Sequence, residues 1–336
     1  MKKTKLFTLL LVAAPILTAC GEKFQYPDFG NLKDGEKYKI GILLPVEHDA
    51  LNKAADGLKE AGWEDGKNVE FDARNAQGSA DQQRVLAKTL IDNCILTLGL
   101  GTGASLDLVT VQEEKGSKNP ILFTAVTDPV DAELVESLEQ PGGYVTGTSD
   151  AQPIDAQIGL IKTCMPDADK VGIFYTAKEP NSVVQAKQAK AAIEAAGMTA
   201  VTKTCNDSTD IETSLASLVA SDGLDAIYVP TDNNVAANMN FVSDAVKGKG
   251  ILVVSGEEGM LEKGGQITLS VDYTNLGKVT GQMAAQILKG EKKPSELPVV
   301  SMGKEECKKV LNSKWLNDAG IVLPDDVLNQ FEDIAK

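Results

Sequence analysis

From Tyr38 onward, short apolar runs alternate with longer stretches in which apolar residues recur at helical spacing. "YKIGILLP" is followed by "ALNKAADGLKEAGW", "NVEFDARNA" by "DQQRVLAKTLIDN", and "CILTLGLG" by a helix over residues 105–114. That order builds a parallel sheet, because parallel neighbours need a connection long enough to cross back over it. "PILFTAV", a helix opened by Pro129, and "YVTGTS" continue the pattern, with Pro141, Gly142 and Gly143 interrupting it. Asp150 to Pro153 reads as a crossover, after which "KVGIFYT", "NSVVQAKQAKAAIEAAG", "TAVTKTC", "DIETSLASLVAS", "LDAIYVPT", "NVAANMNFVSDAVKG" and "ILVVSG" repeat the scheme. The expectation is an α/β protein of two Rossmann-like lobes, each a parallel sheet flanked by helices, joined by a hinge. Lobe 1 spans 38–150, lobe 2 spans 151–273, and about 274–336 return to lobe 1, the tail packing across the hinge or that lobe.

Residues 1–19 stand outside this scheme. Lys2, Lys3 and Lys5 precede an apolar run from Leu6 to Leu17 that ends in Thr18, Ala19 and Cys20, the layout of a secretory signal. The run is too short to span a bilayer as a helix, and "LTAC" before Gly21 resembles the bacterial lipobox, whose cysteine is lipidated and becomes the new N-terminus. Residues 20–37 are then a lipidated N-terminus and linker, holding a soluble body on the outer side of the cell membrane.

Charge excludes one class of partner. The chain carries a net charge of −15, and losing the three leader lysines makes it more acidic still. Nucleic acid is bound through clustered Lys and Arg, and the arginines here are Arg74 and Arg84 alone. Cys94, Cys164, Cys205 and Cys307 remain in the body. Pairing of Cys164 with Cys205 and buried free thiols are equal alternatives.

In open parallel sheets ligands bind beyond the carboxyl ends of the strands, where helix N-termini also favour anions. The polar residues at those corners are His48 and Asp49; Asn75 and Gln77; Thr102 and Ser105; Thr124, Thr127 and Asp128; Asn181 and Ser182; Thr231, Asp232 and Asn233; Glu257 and Glu258; Asp272 and Tyr273. Helix capping accounts for many such residues. A helix needs only one cap, however, so corners with several polar groups are candidates for ligand contact. A zwitterionic amino acid asks for a carboxylate facing its ammonium, donors facing its carboxylate, and a side-chain pocket. The corners supply all of these, with aromatic walls available from Phe123, Tyr144, Tyr175, Tyr228 or Tyr273.

Catalysis finds little support. "GLGTGASLD" lacks the G-x-G-x-x-G spacing of a dinucleotide fingerprint, and the chain has neither a G-x-x-x-x-G-K-[ST] loop nor a G-x-S-x-G elbow. Its one histidine, His48, has no marked serine partner. Glu257 and Glu258 are adjacent on a loop and point apart. No metal site is expected, since no C-x-x-C occurs, and no cofactor is implied.

Several long motifs carry a family resemblance: "LFTAVTDPVDAELVESLEQPGGYVTGTSD", "NSVVQAKQAKAAIEAAG", "IYVPTDNNVAANM", "GEEGMLEKGG" and "VDYTNLGKVTGQMAAQILKGEKKPSELPV". They resemble ABC-transporter substrate-binding proteins of the group that includes tryptophan-, tyrosine- and phenylalanine-binding lipoproteins, from about Tyr38 to Val299 and more weakly to Pro324. The resemblance implies a periplasmic-binding-protein type I fold, no catalysis, a monomer, a ligand clamped between lobes, and ABC permease subunits as membrane partners. It implies ligand contacts from Thr127, Asp128, Asn181, Ser182, Asp232, Asn233, Glu257 and Asp272. Gln77 and Thr124 are carried as corner candidates. His48 falls where the family often has Ser-His-Pro-Ala-Leu; here "EHDAL" puts Asp49 in place of the proline. Asp232 is the first choice for the ligand's ammonium, and Thr102, Ser105 and helix N-terminal amides for its carboxylate. An aromatic amino acid is the expected ligand, with branched-chain amino acids, nucleosides, another small polar solute or a sensing role as alternatives.

Overall fold

The computed structural model describes residues 37–61, 69–221 and 223–336; the expected leader, Cys20 and most of the linker lie outside the described residues, as does Trp63 at the end of the first helical stretch. The first half runs β1 (Tyr38–Leu44), α1 (Asp49–Lys59), β2 (Val69–Asn75), α2 (Ala80–Asn93), β3 (Leu96–Leu100), α3 (Thr102–Lys115), β4 (Ile121–Val126) and β5 (Val145–Ser149). The second runs α4 (Ile154–Cys164), β6 (Lys170–Thr176), α5 (Pro180–Ala195), β7 (Thr199–Cys205), α6 (Ile211–Val219), β8 (Ala226–Val229), α7 (Asn233–Ala237), α8 (Met239–Val246), β9 (Leu252–Ser255) and β10 (Ile267–Ser270). The chain then passes through α9 (Tyr273–Leu288), β11 (Val300–Ser301), β12 (Lys308–Leu311), α10 (Ser313–Ala319), α11 (Asp325–Leu328) and β13 (Glu332–Asp333).

These strands form two sheets, ordered β11-β5-β4-β3-β1-β2 and β13-β12-β10-β9-β8-β6-β7. Central strands such as β3, β4, β8 and β9 are buried along their whole length, as a sheet covered on both faces requires. Every pairing is parallel except β10 with β12. The chain moves between the sheets at 149–154, 270–273 and 301–308.

The return to the first lobe is made by α9 and β11. Beyond β11 the tail goes the other way: β12 and β13 extend the second sheet, which corrects the expected return of all residues to 336. The physical reason is burial, since Leu311, Leu316, Ala319, Ile321 and Leu323 have their apolar surface inside the second lobe's core.

Glycine sets how α9 docks. It lies along α1 so closely that a Cβ on Gly277 would overlap the Ala54 carbonyl oxygen, and one on Gly57 would overlap that of Thr274. Only glycine permits that approach.

Two local expectations fail. No helix follows Pro129: residues 129–134 form tight turns, with Asp128 Oδ1 accepting from the amides of Val130 (3.2 Å) and Asp131 (3.0 Å). Glu133, at φ 57°, cannot propagate a right-handed helix. The stretch over "NVAANMNFVSDAVKG" is broken into α7 and α8 at Asn238.

Cys94, Cys164 and Cys205 are free thiols. Cys164 ends α4, which precedes β6, whereas Cys205 ends β7, paired with Thr176 at the last position of β6. The two thus sit at opposite ends of a strand of 7 residues, roughly 20 Å by strand rise, too far for a disulfide.

Candidate functional site

The carboxyl ends of both sheets face each other across a narrow cavity lined from both lobes. The first lobe supplies His48 after β1, Ala125 and Thr127 at the end of β4, and Asp150 after β5. The second supplies Asn181 at the start of α5, Thr231, Asp232 and Asn233 between β8 and α7, and Glu257 after β9; Tyr273 enters from the crossover that opens α9. Leu51, Ala236 and Met260 provide apolar wall. Ala125 holds φ 57° inside a register shift between β4 and β5, so an irregularity in the strand aims this part of the wall.

The jaws touch. His48 Nε2 is 3.0 Å from Asn233 Oδ1. Gln185 of α5 donates through Nε2 to Thr127 Oγ1 (3.1 Å) and also to Thr231 Oγ1, and the two threonine hydroxyls are 3.3 Å apart. At the rim, Lys53 of α1 pairs with Glu258 at 3.3 Å. Little free space remains between the lining side chains, in keeping with a cleft already bridged by its own residues.

Asp150, Asp232 and Glu257 line the cavity, and no Lys or Arg does among the described residues. The three carboxylates differ in what they already hold. Asp232 caps α7: Oδ1 accepts from Val235 N and Thr176 Oγ1, each at 2.8 Å, and Oδ2 from Thr176 N at 2.6 Å. Asp150 accepts from Tyr273 Oη (2.6 Å) and Thr127 Oγ1 (3.2 Å), and burial pushes its pKa up against those bonds. Glu257 gives one oxygen to the amide of Gly259, while Oε1 is buried with no partner among the described residues. Burial raises its pKa to about 8, with nearby Asp49 adding to the rise and the Gly259 amide opposing it.

Behind the cavity, Glu179 accepts from Asn233 N (2.9 Å), Asn233 Nδ2 (2.8 Å) and Asn234 N (2.8 Å). Its pKa is also raised to about 8, first by burial and then by the charge of Asp232. His48 is held down to about 4 by burial, so the imidazole is neutral.

Of the residues singled out in the sequence, His48, Thr127, Asn181, Thr231, Asp232, Asn233, Glu257 and Tyr273 meet at the cavity. The others do not line it. Gln77 is exposed in a turn at φ 54°, where its amide bonds Asn75. Asp128 serves its turn, and Asp272 is an exposed cap on Asn275 N at 3.0 Å. Thr124 is buried in a hydroxyl chain with Thr148 (2.9 Å). Ser105 Oγ donates to the carbonyls of Gly101 (2.8 Å) and Gly99 (3.2 Å). Thr102 and Ser182 are buried hydroxyls without partners among the described residues. Among the aromatic candidates Phe123 and Tyr228 are core, and Tyr273 reaches the cavity.

Sequence reasoning missed Asp150, Gln185 and Glu179. Asp150 directly follows a strand, as the other corner residues do, but it opens a crossover rather than a strand-to-helix corner within one lobe. Gln185 is a polar residue inside an alanine-rich helix, and only the fold reveals that it is fully buried between threonines.

The comparisons with known proteins agree with this architecture. Residues 39–334 match the family model described as ABC transporter substrate binding protein. The chain is 32% identical to the tyrosine-binding protein of Clostridioides difficile (strain R20291) over 317 residues, 91% of this chain and 90% of that one. A Streptococcus pneumonia ABC domain solved in complex with L-Trp is 32% identical, with TM-score 0.81 over 89% of this chain and 99% of that one. The ligand-free, open structure of a Clostridium difficile substrate-binding protein with adhesive properties is 33% identical over 88% of this chain and 99% of that one, yet scores 0.64. Identity and coverage being alike, the lower score against an open form fits jaws that are bridged here. A family match over nearly the whole described body, on a two-lobed type I fold with its polar corners meeting in one cleft, leads to one conclusion: this chain belongs to the ABC transporter substrate-binding proteins, which bind solutes rather than transform them.

Proposed function

We propose that this protein is the extracytoplasmic binding lipoprotein of an ABC importer, closing on an aromatic α-amino acid and delivering it to the permease as a monomer anchored through Cys20. The carrying observation is Glu257: a buried carboxylate oxygen without a partner among the described residues, in a cavity that three acidic side chains line and no described Lys or Arg does. Burial favours the protonated carboxyl in the empty site, and because a buried carboxylate is stable only when paired, the ligand is expected to bring a cation that takes the proton's place. Glu257 and Asp150 face its ammonium, while Asp232 keeps its structural bonds. The ligand's carboxylate takes first-turn amides of α3, which starts just after Gly101, the residue beside Asn233. The apolar wall of Leu51, Ala236 and Met260 receives the side chain. The tyrosine-binding and L-Trp-bound relatives support an aromatic one, and the leader with its "LTAC" supports export and lipidation.

The ligand works by differential contact. Touching both jaws, it favours the closed population that the permease recognises. Mass spectrometry of small molecules released from the purified protein, with thermal-shift screening of the common amino acids, tests the reading. Stabilisation by an aromatic amino acid is expected; stabilisation by none of them would refute it.

A further inference from the structure

His48 begins α1 but makes no capping bond with its side chain. Its ring instead spans the cleft to Asn233 Oδ1 at 3.0 Å. The orientation of that amide is set from behind. Glu179 accepts from the main-chain amides of Asn233 and Asn234, and the same carboxylate accepts from Asn233 Nδ2 at 2.8 Å. The amide nitrogen therefore faces Glu179 and the amide oxygen faces His48. An amide oxygen can only accept, so Nε2 carries the proton. A neutral imidazole has a single N–H, which leaves Nδ1 as a bare acceptor. Nδ1 is buried and has no partner among the described residues, on a side chain that is 6% exposed and lines the cavity. One helical turn further along α1 is Leu51, and Ala236 holds the corresponding place after Asn233 on α7. A lone buried acceptor thus belongs to a cavity-lining ring whose wall Leu51 and Ala236 share.

We propose that His48 Nδ1 reads the ligand's side chain, making this site prefer aromatic amino acids that carry a hydrogen-bond donor, a phenol or an indole N–H, over phenylalanine. The inference rests on the aromatic amino-acid reading above. A ring without a donor leaves Nδ1 buried and unpaired, and a site built around such a bond discriminates by about tenfold or more.

His48 is the chain's only histidine, so the untagged protein labelled with 15N-histidine reports one imidazole. With L-tyrosine or L-tryptophan bound, the Nδ1 resonance moves upfield as it accepts a bond while Nε2 stays protonated; with saturating L-phenylalanine it stays in place. Calorimetry on the same sample gives phenylalanine about tenfold or more weaker, and His48→Leu brings the ratio toward one. Equal affinities with the same Nδ1 shift for all three would overturn the proposal, as would an equal loss for all three in a folded His48→Leu protein. Binding of none of the three would instead refute the aromatic reading itself, and this inference with it.

Discussion

The Tyr273 hydroxyl donates to Asp150 Oδ2 at 2.6 Å, joining two of the crossovers between the lobes. Both residues also line the cavity. The hinge and the candidate site therefore share side chains, whose spacing across the cleft depends on the angle between the jaws. Thr127, which donates to the other oxygen of Asp150 at 3.2 Å, carries the relationship on to Thr231 across the cleft.

Tyr273→Phe removes that bond and keeps the ring. A hydrogen bond to a charged group contributes about 1.5–3 kcal/mol, so ligand affinity is expected to fall roughly tenfold to a hundredfold by calorimetry. Unchanged affinity would separate the hinge from the site.

Asp232→Ala acts on the fold first. It strips Thr176 N, Thr176 Oγ1 and Val235 N of their acceptor, and buried donors left unpaired cost about 1–3 kcal/mol each. Urea unfolding of the ligand-free variant should show a loss of several kcal/mol. Full stability with lost binding would return Asp232 to the ligand.

The raised carboxylates predict a pH dependence. Between their ordinary 4.5 and about 8, Glu179 and Glu257 hold protons in the folded state that the unfolded chain has released. Their contribution is fully present below pH 4.5 and is lost as pH rises toward 8. His48, lowered from 6.5 to about 4, works the opposite way across that interval and is finished above 6.5. From pH 6.5 to 8 the thermal midpoint of the ligand-free protein should therefore fall. Saturating ligand should flatten the fall, because its ammonium replaces the proton on Glu257. A midpoint that rises over this interval would contradict the assignment.

Gly277→Ala places a methyl group against the Ala54 carbonyl oxygen and forces α9 away from α1. Overpacking of this kind costs about 1–3 kcal/mol or more, visible as a lower thermal midpoint. A neutral result would mean that α9 slides freely on α1.

How far the sequence carried depends on whether the signal was local. The matched runs "KVGIFYT" and "TAVTKTC" coincide residue for residue with β6, which is largely buried, and β7, a partly exposed edge strand, because short β-branched runs between helical stretches are a local signal. The tail defeated the same reasoning: β12 and β13 are short and join the second sheet through contacts distant in sequence. Pro129 looked like a helix start, but Asp128 folds the next residues into a turn. In the site, strand-end corners located His48, Asn233 and Glu257, while the division of labour among the acids stayed hidden. Asp232 and Glu257 look alike as letters, and only the bonds each already makes tell them apart.

The most direct test is calorimetry of the purified protein at pH 7 with L-tyrosine and L-tryptophan beside their desamino analogues, which keep the ring and carboxylate but lack the ammonium. Saturable one-to-one binding of at least one amino acid is predicted, with the matching analogue weaker by about 2–5 kcal/mol because Glu257 and Asp150 are left without a cation. Equal binding of amino acid and analogue, or no binding of either aromatic amino acid, would contradict it.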